Sequence, residues 1–270
     1  MDIPKISILG CGNIGSAIAI GLKKSGEFSS KNIHLTRRKI KSLEKLNTQG
    51  FVTSNDNKKA VEESNMIILS VGPSHLMDLL NDISSKLNSK QIIISVVSGI
   101  QIKNIQEIVG NDIPIIRAMP NTAASSCESM TCIASLGQFK NELKLVTSIF
   151  KNIGETLIID EEQMSSATSL GACGVAFFLR AIRAASQGGI EIGFHSDEAF
   201  KIAAQTARGA ATLLLKNFSH PESEIDKVTT PMGATIAGLN EMEHQGFSSS
   251  MIKGIITSTE KVNNLYKKNT

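Results

Sequence analysis

The sequence predicts an α/β fold: a doubly wound parallel sheet over residues 1–160, followed by an all-helical region over residues 161–270. Three observations predict it. Short apolar runs alternate with amphipathic stretches up to residue 160. The runs are mostly continuous rather than alternating, and rich in Ile and Val. No such run follows Asp160. Continuous runs suit strands buried on both faces, and strand–helix–strand repetition builds a parallel sheet. A chain of 270 residues is long enough for two domains with a core each.

The expected strands are 6–9, 32–35, 66–71, 92–97, 115–119, 131–135 and 156–159. Between them lie helical stretches such as 75–87, whose Leu76, Leu79, Leu80, Ile83 and Leu87 fall on one face. Beyond Asp160, helices are expected from Glu161 to about Ile192, then over 197–218, 235–243 and 248–268. Ser196 is the expected N-cap of the second, with Asp197 and Glu198 in its first turn, and His220-Pro221 is expected in a loop. Residues 203–215 (AAQTARGAATLLL) carry small side chains over most of a helix surface. Such a helix is buried, either within its own domain or against a partner subunit.

Hydrophobic residues at 41% and charged residues at 20% describe a globular chain, and a net charge of +3 is too small to argue for nucleic acid or an anionic membrane surface. Four cysteines in 270 residues do not make a disulfide framework, and no CxxC or His/Cys spacing suggests a metal site. The uncharged run 6–22 superficially resembles a signal peptide. It contains Gly10, Gly12, Gly15, Gly21 and Asn13, and lacks a basic flank and a clean cleavage site. No strongly apolar stretch of membrane-spanning length is apparent elsewhere, so no membrane partner and a cytoplasmic location are expected.

The first chemical motif is Gly10-Cys11-Gly12-Asn13-Ile14-Gly15, directly after the strand ISIL and opening a helix. Its glycines allow a tight turn, a close backbone approach by a pyrophosphate, and close helix–strand contact, while the helix N-terminus offers free N–H groups. This points to a Rossmann-type dinucleotide site formed by Leu9, Gly10, Cys11, Gly12, Asn13 and Ile14. At the end of the second strand, His34-Leu35-Thr36-Arg37-Arg38-Lys39 carries no acid for a ribose 2′-hydroxyl. Arg37 and Arg38 with a nearby hydroxyl would instead bind a 2′-phosphate, which favours NADPH, with NADH possible. The same cations also fit a solvated basic face.

Hydride transfer to a ketone or aldehyde needs an acid for the developing alkoxide, commonly Lys, His or Tyr. Between Glu161 and Phe200 there is no Lys or Tyr, and the one His, His195, sits at a helix–helix turn. A cyclic imine can enter already protonated, so the absence points toward C=N chemistry. Asp197, Glu198, Glu241 and Glu243 suit helix ends and solvated faces better than paired hydrolytic acids, and Met232 and Met242 suit packing.

Further motifs follow in order: Asp56-Asn57-x-x-Ala60-Val61, Ser70-Val71-Gly72-Pro73, Ser95-x-x-Ser98-Gly99, Met119-Pro120-Asn121-Thr122 and Gln205-Thr-Ala-Arg-Gly209-Ala-Ala. Most specific is Val228-Thr-Thr-Pro231-Met-Gly233-Ala-Thr235-Ile, followed by Glu243-x-x-Gly246-Phe247. Over nearly the whole chain this series resembles the pyrroline-5-carboxylate reductase family. The resemblance implies NAD(P)H-dependent reduction of 1-pyrroline-5-carboxylate to L-proline, the last step of proline biosynthesis. It also implies a C-terminal dimerisation domain and a homodimer or higher homo-oligomer. It assigns Asn57, Ser70, Val71, Gly72, Pro73 and Ser98 to the cofactor, and Asn57, Glu161, Thr230, Ala234 and Thr235 to the substrate. Thr235 is the catalytic position, its hydroxyl bonding the ring nitrogen or carboxylate, with the Ala234 and Thr235 N–H groups holding the carboxylate where strand-like 228–231 enters a helix. Read without the resemblance, Thr235 is also an ordinary N-cap.

The chain departs from the family in three places. S-G-S-G-P-A-Y is replaced by Gly171-Ala-Cys-Gly-Val-Ala-Phe177, the first glycine of P-G-G by Met232, and the lysine of A-V-K-P by Gly72. A related imine or keto-acid reductase, or a non-catalytic NADP(H)-binding dimer, are the alternatives. The intact Gly233-Ala234-Thr235 argues against the second.

Overall fold

A computed structural model describes residues 4–264. Eight strands form one sheet: β1 (Ile6–Leu9), β2 (Ile33–Thr36), β3 (Val52–Ser54), β4 (Met66–Leu69), β5 (Ile92–Ser95), β6 (Ile115–Met119), β7 (Ser129–Ser135) and β8 (Gly154–Ile158), in the order 3-2-1-4-5-6-7-8. The helices that accompany them are α1 (Asn13–Lys24), α2 (Glu44–Asn47), α3 (Asn57–Glu62), α4 (Leu76–Ile83), α5 (Ile102–Val109) and α6 (Lys140–Lys151). Every residue of β1, β2, β4, β5 and β6 is buried, as their unbroken apolar runs require. Ile6, Ile8, Ile33, Leu35, Met66 and Ile68 meet α1 and α6 on one face, while Leu9, Ile67, Leu69, Ile93 and Ile115 meet α3, α4 and α5 on the other. The strand order reverses between β1 and β4, the crevice where open α/β sheets bind ligands.

Two features of the sheet depart from the sequence expectation. β3 was not expected; it has three residues, only partly buried at the sheet edge, and leaves no apolar run to detect. β7 runs antiparallel to β6, because the connection 120–128 holds only a short 3-10 turn, Thr122–Ser126, and no crossover helix to bring the chain back in the parallel sense. β8 is again parallel to β7, with α6 between them in the chain.

The remaining helices are α7 (Met164–Ala167), α8 (Gly174–Glu191), α9 (Ser196–Asn217), α10 (Pro221–Val228), α11 (Ala234–His244) and α12 (Phe247–Asn263). A π turn, Thr168–Cys173, joins α7 to α8, making Glu161–Glu191 one continuous helical segment. Its 31 residues are long and apolar enough to cross a membrane by length and composition, contrary to the expectation from the sequence, and 17% of its most apolar stretch is buried within the chain. His195, not Ser196, is the N-cap of α9, and the Glu198 side chain reaches back to accept from the His195 N–H. α10 replaces an expected loop: Pro221 occupies its first turn and His220 caps it, so Val228, expected to be strand-like, ends a helix.

The described residues divide into two compact units, residues 4–173 with 257–264, and residues 174–256. Within the second, α8 lies against α9 so closely that a Cβ on Gly189 would stand 3.0 Å from the Ala199 Cβ.

Candidate active site

In the first unit, β1 ends at Leu9 and the chain turns at Gly10 with φ +78°. A Cβ at Gly10 would stand 2.2 Å from Val71 Cγ1, so only glycine fits. The Gly10 and Cys11 N–H groups donate to the Thr36 carbonyl at 3.1 and 2.8 Å, tying the turn to the end of β2. Gly15 presses on Ile8 and on Ser70 Oγ, each 3.0 Å from its virtual Cβ. Gly12 differs: the nearest atom to its Cβ position is the Gly10 carbonyl at 3.8 Å, leaving open space over the turn. Gly12 caps α1 with no side-chain bond and no acid in the first turn, which leaves the leading N–H groups at Asn13 and Ile14 for an anion. The tight glycines and the one open glycine fit a dinucleotide pyrophosphate. The Cys11 side chain is buried in the core beside Ser16 Oγ (3.4 Å), and burial pushes its thiol pKa up despite the nearby Arg37 charge. Cys11 therefore offers the site its backbone, not a nucleophile.

Arg37 and Arg38 are exposed immediately after β2, and among the described residues neither forms an ion pair. The hydroxyl nearest to them in sequence, Thr36, is fully buried and donates to Asn57 Oδ1 at 2.6 Å. Asn57 opens α3 behind the N-cap Asp56. His34, two residues before Thr36, bonds Ser54 Oγ through Nε2 at 2.8 Å and lies 3.8 Å from Glu63. Burial lowers the His34 pKa more than Glu63 raises it, so at neutral pH the contact with Glu63 is not an ion pair.

The ends of β4 and β5 complete this edge. The Ser70 N–H donates to the Leu9 carbonyl (2.9 Å), Val71 packs on Gly10, and exposed Gly72 precedes a turn over Pro73–His75. Ser70 Oγ is buried and has no hydrogen-bond partner among the described residues. Ser98 is half-buried, with Met119 Sδ 3.9 Å from its hydroxyl, and Gly99 follows at φ +80°. Asn121, in the turn after β6, donates through Nδ2 to the Gly171 carbonyl of the π turn at 3.2 Å. Leu9–Ile14, Arg37, Arg38, Asn57, Ser70–Pro73 and Ser98 thus share the C-terminal edge of the parallel strands.

Glu161 does not present a free carboxylate. Its Oε1 accepts from the Ile102 N–H at the start of α5 (2.6 Å) and from Arg117 Nη1 on β6 (3.3 Å). Sequence reasoning missed Arg117; the signal was a lone cation inside the apolar run 115–119. Thr36 was also missed as a structural hub, because a threonine ending a strand looks ordinary.

Thr230, Ala234 and Thr235 belong to the second unit and are exposed around the N-terminus of α11. The Gly233 N–H donates to the Thr230 carbonyl (2.9 Å), and a Cβ on Gly233 would stand 2.4 Å from Thr230 Oγ1. Met232, the residue replacing a family glycine, adopts φ +58° and is fully exposed. The Gly233 cap makes no side-chain bond, so Ala234 and Thr235 occupy the first two helical positions, where N–H groups have no intrahelical acceptor.

Residues 161–265 match the family described as pyrroline-5-carboxylate reductase dimerisation, and residues 5–99 match NADP oxidoreductase coenzyme F420-dependent. The chain is 51% identical to pyrroline-5-carboxylate reductase 1 of Dictyostelium discoideum, covering 97% of this chain but 50% of that protein. It is 49% identical to reductase 2 of the same organism, covering 95% and 91%, and 31% identical to the Methanosarcina acetivorans enzyme, covering 99% and 100%. Among solved structures, the pyrroline carboxylate reductase of Plasmodium falciparum with NADP bound superposes with a TM-score of 0.89 at 24% identity, covering 97% and 98%. That of Streptococcus pyogenes gives 0.83 at 27%, covering 97% and 99%. The chain belongs to the pyrroline-5-carboxylate reductase family.

Proposed function

We propose that the chain reduces the C=N bond of 1-pyrroline-5-carboxylate to give L-proline, using NADPH in preference to NADH. The observation that carries the cofactor half is the open floor at Gly12 between Gly10, which admits no Cβ, and Gly15, whose Cβ position is tightly packed against Ile8 and Ser70. Family membership supports the substrate. The bound cofactor supplies the hydride; the chain supplies position and charge. Residues 1–160 hold the dinucleotide: the first-turn N–H groups of α1 take the pyrophosphate, and Arg37 and Arg38 take the 2′-phosphate. Residues 161–270 serve substrate binding and dimerisation. The Ala234 and Thr235 N–H groups and the helix dipole of α11 hold the substrate carboxylate, the Thr235 hydroxyl orients the ring, and Thr230 lines the same turn. A protonated cyclic imine needs no acid from the protein, in keeping with the lack of Lys and Tyr between Glu161 and Phe200. Glu161, engaged by the Ile102 N–H at the start of α5 and by Arg117 on β6, acts on the sheet and its helix rather than on substrate.

The working form is a homodimer. The segment Glu161–Glu191 and the helices after it are then covered by a second subunit rather than by lipid. Four free cysteines are in keeping with a cytosolic setting.

NADPH oxidation with pyrroline-5-carboxylate tests the reaction. Thr235→Val is expected to cut turnover at least about tenfold, the loss of one hydrogen bond to a charged group, with NADPH binding near wild type. Unchanged turnover would remove Thr235 from the mechanism. The altered run 171–177 favours one second reading, a reductase of another cyclic imine or a 2-keto acid; a substrate screen separates the two.

A further inference from the structure

Thr36 links three segments of the dinucleotide edge. Its carbonyl receives the Gly10 and Cys11 N–H groups, its hydroxyl donates to Asn57, and Arg37 and Arg38 follow it directly. The Arg37 N–H in turn donates to the Ser54 carbonyl (3.2 Å), three residues before Asn57. The Thr36 bond of 2.6 Å has the length of an O–H···O contact and is short for an N–H···O one, which assigns the Asn57 amide with Oδ1 accepting from Thr36. Its free edge is then the NH2 group, which offers donors only. The neighbouring acid, Asp56, is turned away, accepting from the Lys59 N–H at 3.0 Å to cap α3.

We propose that Thr36 is a positioning residue for cofactor choice: by holding the Asn57 amide with its NH2 outward, it makes that side chain a donor suited to the 2′-phosphate of NADPH. A phosphate presents three acceptor oxygens and forms charge-assisted bonds, whereas a ribose hydroxyl gains less from a donor-only neighbour. Without the Thr36 hydroxyl the amide is free to flip and present its oxygen, which repels phosphate. The proposal rests on the reading of this edge as an NADP(H) site.

The test is NADPH and NADH titration by nucleotide fluorescence without substrate, paired with steady-state kinetics. In Thr36→Val, which keeps shape and the carbonyl anchor, the NADPH Kd and KM are expected to rise about tenfold, the scale of one hydrogen bond to a charged group, with NADH nearly unchanged and kcat at saturating NADPH within about twofold. Thr36→Ser is expected to restore wild-type values. A merely structural role would lower kcat and affect both nucleotides alike. Should Thr36→Val fold poorly, Asn57→Asp keeps the acceptor for Thr36 while replacing the NH2 with an anionic oxygen, and should weaken NADPH far more than NADH. Equal nucleotide preference in these variants and the wild type would overturn the proposal. A wild-type chain that binds neither nucleotide would overturn the site reading itself.

Discussion

At Glu161 a single carboxylate oxygen serves two positive partners, the N-terminus of α5 and the guanidinium of Arg117, whose side chain is 4% exposed. Burial disfavours the Arg117 charge and Glu161 opposes that cost; Arg117 Nε is buried with no partner among the described residues. Glu161→Ala leaves the guanidinium uncompensated and should destabilise the chain by about 3–5 kcal/mol in urea titration, and Glu161→Gln by less because it keeps an acceptor for Ile102. His34 sets a second residue-scale expectation. Its folded pKa lies below the ordinary 6.5, so the unfolded chain binds more protons between the two values. Its contribution is complete above about pH 6.5 and is lost as pH falls through the folded value. Melting temperatures taken across this range should show a shallower acid decline for His34→Gln than for the wild type. Neither pairing is visible in sequence: Arg117 and Glu161 are 44 positions apart, and His34 and Ser54 are 20 apart.

Among the turns and helices, glycines with the same chemistry have opposite duties. Gly12 has a negative φ and open space, so Gly12→Ala should leave the melting temperature unchanged while raising the NADPH Kd about tenfold or more, because the methyl occupies the phosphate approach. Gly21 is mid-helix, and its Cβ would stand 2.1 Å from the Ala124 carbonyl oxygen. Gly21→Ala should therefore destabilise the fold, since backbone must move. The glycine turn was legible because strand, glycines and helix are contiguous; the role of Gly21 was not, since its neighbour is in a loop about a hundred residues on. The loop before α11 gives a third case. Met232 pays a backbone penalty at φ +58°, and Met232→Gly should stabilise the second unit by about 1 kcal/mol in thermal unfolding. The π turn at Thr168–Cys173 is a further local departure the sequence did not signal, and Asn121 ties it to the turn after β6.

For the molecule as a whole, the second unit leaves large apolar side chains uncovered. Phe178 is 62% exposed, Ile192 78%, Leu215 71% and Phe218 91%. A single chain in water rarely leaves that much apolar surface open, and residues 161–265 match a dimerisation family. Sedimentation should give twice the chain mass at micromolar concentration, with Phe178→Glu shifting it toward one chain; a monomeric wild type would refute the dimer.

Amino-acid order alone was enough for the strands with unbroken apolar runs, the glycine turn after β1, the helical second half and the family. Each is written in a few adjacent residues or in motifs kept in order, so local periodicity and backbone preference suffice to find it. The reversed β7, the edge strand β3, the Arg117–Glu161 pair and the Thr36–Asn57 hydrogen bond emerge only in the folded chain. Those depend on which strands lie side by side and in what register. Long-range pairing sets that arrangement, and no short window of sequence contains it.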